Sequence, residues 1–124
     1  KHRMSDNFLR IARKEIQEEL DALDQILTRC GNDMDISDNA QSIEKHLHKI
    51  KGLAPMMGQN DVGEIAKMTD AILKYVIVNG VLKGICQILV ESNLVMKEVF
   101  SGAGTKNAIE LKNKLRQTYP NVPD

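Results

Sequence analysis

The sequence predicts an all-α fold: an up-and-down four-helix bundle with a fifth helix at its C-terminal end. Three observations lead there. Apolar residues recur at three- and four-residue steps through most of the chain, the spacing of helices with one buried face. Aromatic residues are scarce, with two Phe, two Tyr and no Trp, so the core falls to Leu, Ile, Val, Met and Ala, side chains that suit helix-on-helix packing. Short polar breaks separate the periodic stretches, and sequential helices joined by short turns favour a bundle. A chain of 124 residues is long enough for one domain with its own core. Residues 1–124 read as a single unit, with 1–4 a cloning remnant and 120–124 the start of a linker.

Ser5 or Asp6 caps a first helix that runs to about Arg29. Its apolar positions are Phe8, Ile11, Ala12, Ile16, Leu20, Leu23 and Leu27, while Glu15, Glu18, Glu19, Asp21 and Asp24 read as a solvated face. Gly31-Asn32-Asp33 ends it, and the stretch to Asp38 reads as a loop. Ser37 or Asp38 opens a second helix whose buried stripe is Ala40, Ile43, Leu47, Ile50, Ala54 and Met57. Gly58-Gln59-Asn60-Asp61 closes it, and Asn60 or Asp61 caps a third. There Val62, Ile65, Ala66, Thr69, Ile72, Leu73 and Val76 point inward up to the break at Asn79-Gly80.

A fourth helix is expected from about Val81, using Leu82, Ile85, Ile88, Leu89, Val95, Met96 and Val99. Tyr75-Val76-Ile77-Val78 has strand-like composition, and Gly84 inside a helix costs about 1 kcal/mol relative to alanine. The helical spacing on both sides nevertheless favours helix. Ser101-Gly102-Ala103-Gly104 is a joint, after which Thr105 caps a last helix, Lys106 to Tyr119, with Ile109, Leu111 and Leu115 inward.

Composition removes several function classes. Apolar residues make up 42% and charged residues 27%, which fits a soluble globular chain and not a disordered one. Formal net charge is zero, so no global field attracts nucleic acid or an acidic membrane, and so few aromatics offer no base-stacking surface. The most apolar region, Ile72 to Val99, is interrupted by Lys74, Lys83, Glu91 and Lys97 and is no membrane span. Cys30 and Cys86 follow no metal or redox spacing and read as small hydrophobes in a reducing cytoplasm. No signal peptide is visible at the polar N-terminus.

Against that background one stretch carries chemistry: His48-Lys49-Ile50-Lys51-Gly52-Leu53-Ala54-Pro55-Met56-Met57-Gly58. Residues three and four apart share a helix face, so His48, Lys51 and Gly52 sit together, well round from the buried stripe. A neutral imidazole can attack phosphorus near pH ~7, which a protonated lysine cannot. Lys51 can offset the added negative charge, and Gly52 leaves room for a second active site to reach the ring. Each residue alone is more often an ordinary surface position; their coincidence on one face carries the reading. His2 and His46 read as bland, and His46 and His48, two apart, point in different directions. With no acidic ligand properly spaced, a metal site is not expected. Pro55 conflicts with the carbonyl of Lys51, so a kink is expected there, and Met56 and Met57 read as core filler or partner contact.

The segment His48 to Ala54, with Gly58 closing the helix, resembles the H-x-x-K-G-x-A…G signature of histidine phosphotransfer (HPt) domains. The first helix, with Phe8-Leu9-Arg10-Ile11-Ala12, Glu18-Glu19-Leu20 and Leu27, is similar to the opening helix of the phosphotransfer domain of CheA-type chemotaxis kinases. The resemblance covers about residues 6 to 118, strongest over the second and third helices. It implies that His48 is the phosphoacceptor, Lys51 the phosphate-side charge and Gly52 the clearance for a docking domain. The family's H-x-x-E pair on the third helix, whose glutamate fixes the imidazole tautomer, corresponds to Lys67 and Asp70. The carboxylate is one methylene shorter and the histidine has become lysine, so Asp70 is expected to orient His48 less firmly, or through water. Pro55 departs from the small residue that the family prefers.

The expectation is therefore a cytoplasmic phosphoryl carrier in two-component signalling of the chemotaxis type. His48 would take its group from a histidine-kinase ATP-binding domain and give it to the aspartate of a response-regulator receiver domain. With no P-loop, glycine-rich nucleotide loop or Mg²⁺ cluster in the chain, ATP and Mg²⁺ belong to those partners, and independent turnover is not expected. The competing expectation is a helical interaction module that keeps the fold but has lost phosphotransfer.

Overall fold

A computed structural model describes residues 5–122. The cloning-remnant reading of 1–4, His2 included, and the last two residues of the expected linker lie outside them. Among the described residues the chain is entirely helical, with six α-helices, one 3₁₀ turn and no strand. They are α1 (Asp6–Thr28), α2 (Asp33–Asp38), α3 (Ala40–Leu53), the 3₁₀ turn Pro55–Met57, α4 (Asn60–Asn79), α5 (Ile85–Phe100) and α6 (Thr105–Thr118). Among the described residues no helix is long and apolar enough to cross a membrane.

Ser5 caps α1, its Oγ accepting the amide of Phe8 at 3.0 Å. The helix buries Ala12, Ile16, Leu20, Leu23 and Leu27, but Phe8 and Ile11 in its first two turns are exposed. Two acids of the expected solvated face are engaged. Glu19 is buried, and Asp24 accepts from Asn93 Nδ2 at 2.5 Å and pairs with Lys97 on α5.

The expected loop before Asp38 contains α2 instead. Asn32 caps it through the amide of Asp35 at 2.8 Å, and the Asp33 carboxylate accepts the amides of Gly84 and Cys86, both at 2.9 Å. Local capping chemistry thus folds a six-residue turn that has only Ile36 to bury. Asn39 separates α2 from α3, so the second expected helix is divided.

At its other end α3 stops at Leu53 rather than kinking through Pro55. Proline, lacking an amide hydrogen, starts the 3₁₀ turn, and Gly58 in the left-handed region (φ 77°) lets Gln59 N donate to Ala54 O at 2.9 Å. Met57 is only half-buried against the core.

The seven expected inward positions of α4 are all buried, and Tyr75–Val78 is helical. Neither Asn60 nor Asp61 caps it; Gln59 holds that position without a side-chain bond. Helix α5 begins at Ile85, not Val81, because Gly84 occupies the N-cap with φ 85°. That glycine therefore supplies a turn instead of weakening a helix. Thr105 is the first residue of α6 and Gly104 its cap; Ile109 is exposed and Ala108 is buried in its place.

Helix α3 packs most extensively on α4; α1 contacts α3 and α5, α5 contacts α4, and α6 lies against α4 and α5. Lys112 ties α6 to α4 through Asp61 at 2.8 Å and Glu64 at 2.7 Å. On α3 the side chains of Ile43, Leu47 and Ile50, and that of Ala54 at its C-cap, are almost completely buried. Burying one such Leu or Ile is worth about 1.5–3 kcal/mol, so the stripe fixes the rotation of α3 and, with it, the direction in which His48 faces.

Candidate functional site

Helices α3 and α4 face each other across the site. From α3 come Glu44, His48, Lys51 and Gly52, on the turns between the buried stripe and solvent. From α4 come Lys67, Asp70 and Lys74, again at three- and four-residue steps. His48 is 58% exposed, whereas Asp70 is 1% exposed. The core beneath α4 thus holds a carboxylate still while the imidazole stands over it.

One oxygen of Asp70 organises the arrangement. Its Oδ2 lies 3.5 Å from His48 Nδ1, 3.2 Å from Lys51 Nζ and 3.2 Å from Lys74 Nζ. The Lys51 contact has hydrogen-bond geometry. The His48 contact is longer than the ~2.7–3.2 Å of a good N–H···O bond, so Asp70 attracts the ring without gripping it. Glu44 Oε2 approaches the same Nδ1 at 3.7 Å. Both acids therefore lie on one edge of the imidazole, and Nε2 is on the other.

Charge is unevenly shared between the two acids. Burial raises the Asp70 carboxyl, but hydrogen bonding from Glu44, Lys74 and Lys51 outweighs burial and holds it below the ordinary carboxylate range. Glu44 is pushed up, first by its hydrogen bond to Asp70 and then by burial. The pair behaves as one ionised carboxylate with a neighbour that keeps its proton more readily. Asp70 Oδ1 is buried and accepts from no donor.

Each expected site residue can now be placed. His48, Lys51 and Asp70 converge on a single contact point. Gly52 lies one residue beyond Lys51, exposed, and a Cβ built there would meet nothing within 4 Å. Lys67 is exposed and stands apart from the ring, in the wall of a shallow groove shared with Lys51, Asp70, Lys74 and Tyr75. Asp70 is buried, and its oxygen stands 3.5 Å from the His48 ring. The expectation that no acidic ligand accompanies His48 is corrected: Glu44, His48 and Asp70 present donor atoms within 4.8 Å of one another.

Two members of the cluster had no role in the sequence reading, Glu44 and Lys74. Both stand at i,i+4 spacing from a recognised residue, Glu44 before His48 and Lys74 after Asp70, and that spacing was the available signal. His46 faces away, towards α1, where its Nδ1 lies 2.5 Å from Glu19 Oε1 and Lys49 Nζ lies 3.6 Å from Glu19 Oε2. Compared with protein-family models, curated proteins and solved structures, the chain matches none.

Proposed function

We propose that this chain is a histidine phosphoryl carrier of the HPt type, with His48 as the phosphoacceptor. In this reading α1, α3, α4 and α5 form an up-and-down four-helix bundle, α6 docks alongside as the additional helix, and the whole is one cytoplasmic domain. The observation that carries the reading is the exposed imidazole set with Nδ1 against a buried, ionised carboxylate. A carboxylate at Nδ1 favours the tautomer with the proton there, which leaves the Nε2 lone pair free.

In the reaction, Nε2 attacks the γ-phosphorus of ATP held by a histidine-kinase domain. The N–P bond forms as the bond to ADP breaks, and the ring becomes a phosphoimidazolium. Asp70 offsets its positive charge while Lys51 and Lys74, with Lys67 on the groove wall, offer charge to the phosphoryl oxygens. A receiver-domain aspartate then attacks phosphorus, the N–P bond breaks, and neutral imidazole departs. Nucleotide and Mg²⁺ are supplied by the partners, and a chemotaxis-type pathway is the closest fit to the pattern in α1 and α3.

Incubating the chain with a CheA-type kinase domain and labelled ATP tests the assignment. Acid-labile label on the wild type and none on His48→Gln is expected; equal labelling of the two overturns it. The 3.5 Å separation between Asp70 and His48, with two lysines on the same oxygen, favours a second reading, a helical module that binds a receiver domain without phosphotransfer. Receiver binding without any acid-labile label would select that reading.

A further inference from the structure

Tetrahedral ligands about 2.1 Å from a zinc ion stand about 3.4 Å apart. His48 Nδ1 is 3.5 Å from Asp70 Oδ2 and 3.7 Å from Glu44 Oε2, and the three donors all fall within 4.8 Å of one another. Small rotations of the Glu44 and His48 side chains, both reaching towards solvent, would close the set. We propose that Glu44, His48 Nδ1 and Asp70 form a binding site for a divalent transition-metal ion such as Zn²⁺, and that its occupancy disables His48 as a nucleophile.

One imidazole and two carboxylates are a donor set that Zn²⁺ accepts, with a fourth position open to water. The ion would share Asp70 Oδ2 with the lysines already on it. Lys51 and Lys74 both draw on Oδ2, while Oδ1 is buried with no donor. The two lysines oppose the ion, and this places the expected affinity below that of a dedicated structural zinc site.

The consequence follows from tautomer chemistry. A metal on Nδ1 takes the lone pair there, so the proton of the neutral ring must sit on Nε2. Nε2 then has no lone pair with which to attack phosphorus. A bound ion would thus block attack by His48 without occupying Nε2 itself. This regulatory consequence rests on the carrier reading, whereas metal binding itself does not.

Zinc titration of the whole chain in a non-coordinating buffer near pH ~7, followed by calorimetry and by ¹⁵N spectra of the histidine rings, tests the site. One equivalent should bind, with the His48 ring held in the Nε2-protonated form. Glu44→Gln and His48→Gln should each weaken binding by roughly tenfold or more, with His46→Gln unchanged; Lys74→Met should tighten it. Binding that ignores Glu44→Gln and His48→Gln, as it would if the ion sat on the Cys30 and Cys86 thiols or at the His46–Glu19 pair, overturns the inference. So does no binding at all. If zinc binds as stated but a kinase never labels His48, the carrier reading fails and the metal site stands.

Discussion

The ring of Pro55 fills the space that a side chain at residue 63 would need. A Cβ built on Gly63 would lie 2.8 Å from Pro55 Cγ and 3.0 Å from Cδ, closer than packed atoms allow. The 3₁₀ turn that follows α3 and the first turn of α4 are therefore in contact through a proline and a glycine. This contact lies within two turns of His48 and of Asp70, and it bears on how the two helices are spaced at the site.

Gly63→Ala should consequently destabilise the protein, by about 1 kcal/mol or more, although alanine is favoured over glycine within a helix by about that amount. In a Pro55→Ala background the ring atoms are gone, and the same change should become stabilising. Denaturant unfolding of the two single variants and the double variant checks the reversal of sign. If Gly63→Ala stabilises in both backgrounds, the ring does not constrain the helices.

Much of this architecture was legible from periodicity, and the exceptions have physical causes. The inward residues of α4 were readable because that helix is buried along one continuous stripe. Helix α2 was not, since it is held by caps and by Asp33 reaching across to Gly84 and Cys86, more than fifty residues away. Likewise the α1 charge run gave no sign that Glu19 would be buried, because its partner His46 is 27 residues on. At the site, His48, Lys51 and Gly52 were readable as one helix face. The contact of Asp70 with that face depends on how α4 packs on α3, which no local spacing states.

Glu19 and His46 should behave as a coupled pair linking α1 to α3. Their contact is 2.5 Å long, and Glu19 is almost fully buried. Replacing Glu19 by alanine removes a charge-assisted bond and leaves His46 without that partner, a loss of about 1–3 kcal/mol. Because both single changes break the same bond, their effects in a double-mutant cycle should fall short of additive by about 1 kcal/mol or more. Additive effects would mean that the contact contributes nothing net.

Asp33 gives a pH signature. Hydrogen bonds from the amides of Cys86 and then Gly84 hold its carboxyl below the ordinary aspartate range. A depressed folded-state value means that its contribution is complete above the unfolded value of about 3.9 and is lost as pH falls through the folded value. Asp33→Ala should cost about 1–2 kcal/mol at neutral pH. The difference between variant and wild type should shrink as the medium is acidified below pH ~4. Chemical denaturation across that range measures it, and a difference independent of pH would show that the ionised carboxylate is not what joins α2 to α5.

Gly52 separates a stability role from an access role. It lies in the last turn of α3 with an ordinary helical backbone, and a Cβ there would touch nothing within 4 Å. On stability alone glycine is the poorer residue, so Gly52→Ala should raise unfolding free energy by about 0.5–1 kcal/mol. In the proposed carrier reading access makes the opposite demand, because a partner's catalytic groups would have to come within about 3–3.5 Å of His48 Nε2 and would cross this bare surface. A long side chain, as in Gly52→Gln, should therefore leave the fold as stable as the wild type or more so while slowing phosphoryl transfer from the kinase domain by an order of magnitude or more. Measuring unfolding and labelling rate on the same preparations settles which demand set the residue: if Gly52→Gln is both more stable and transferred at the wild-type rate, the glycine provides no clearance.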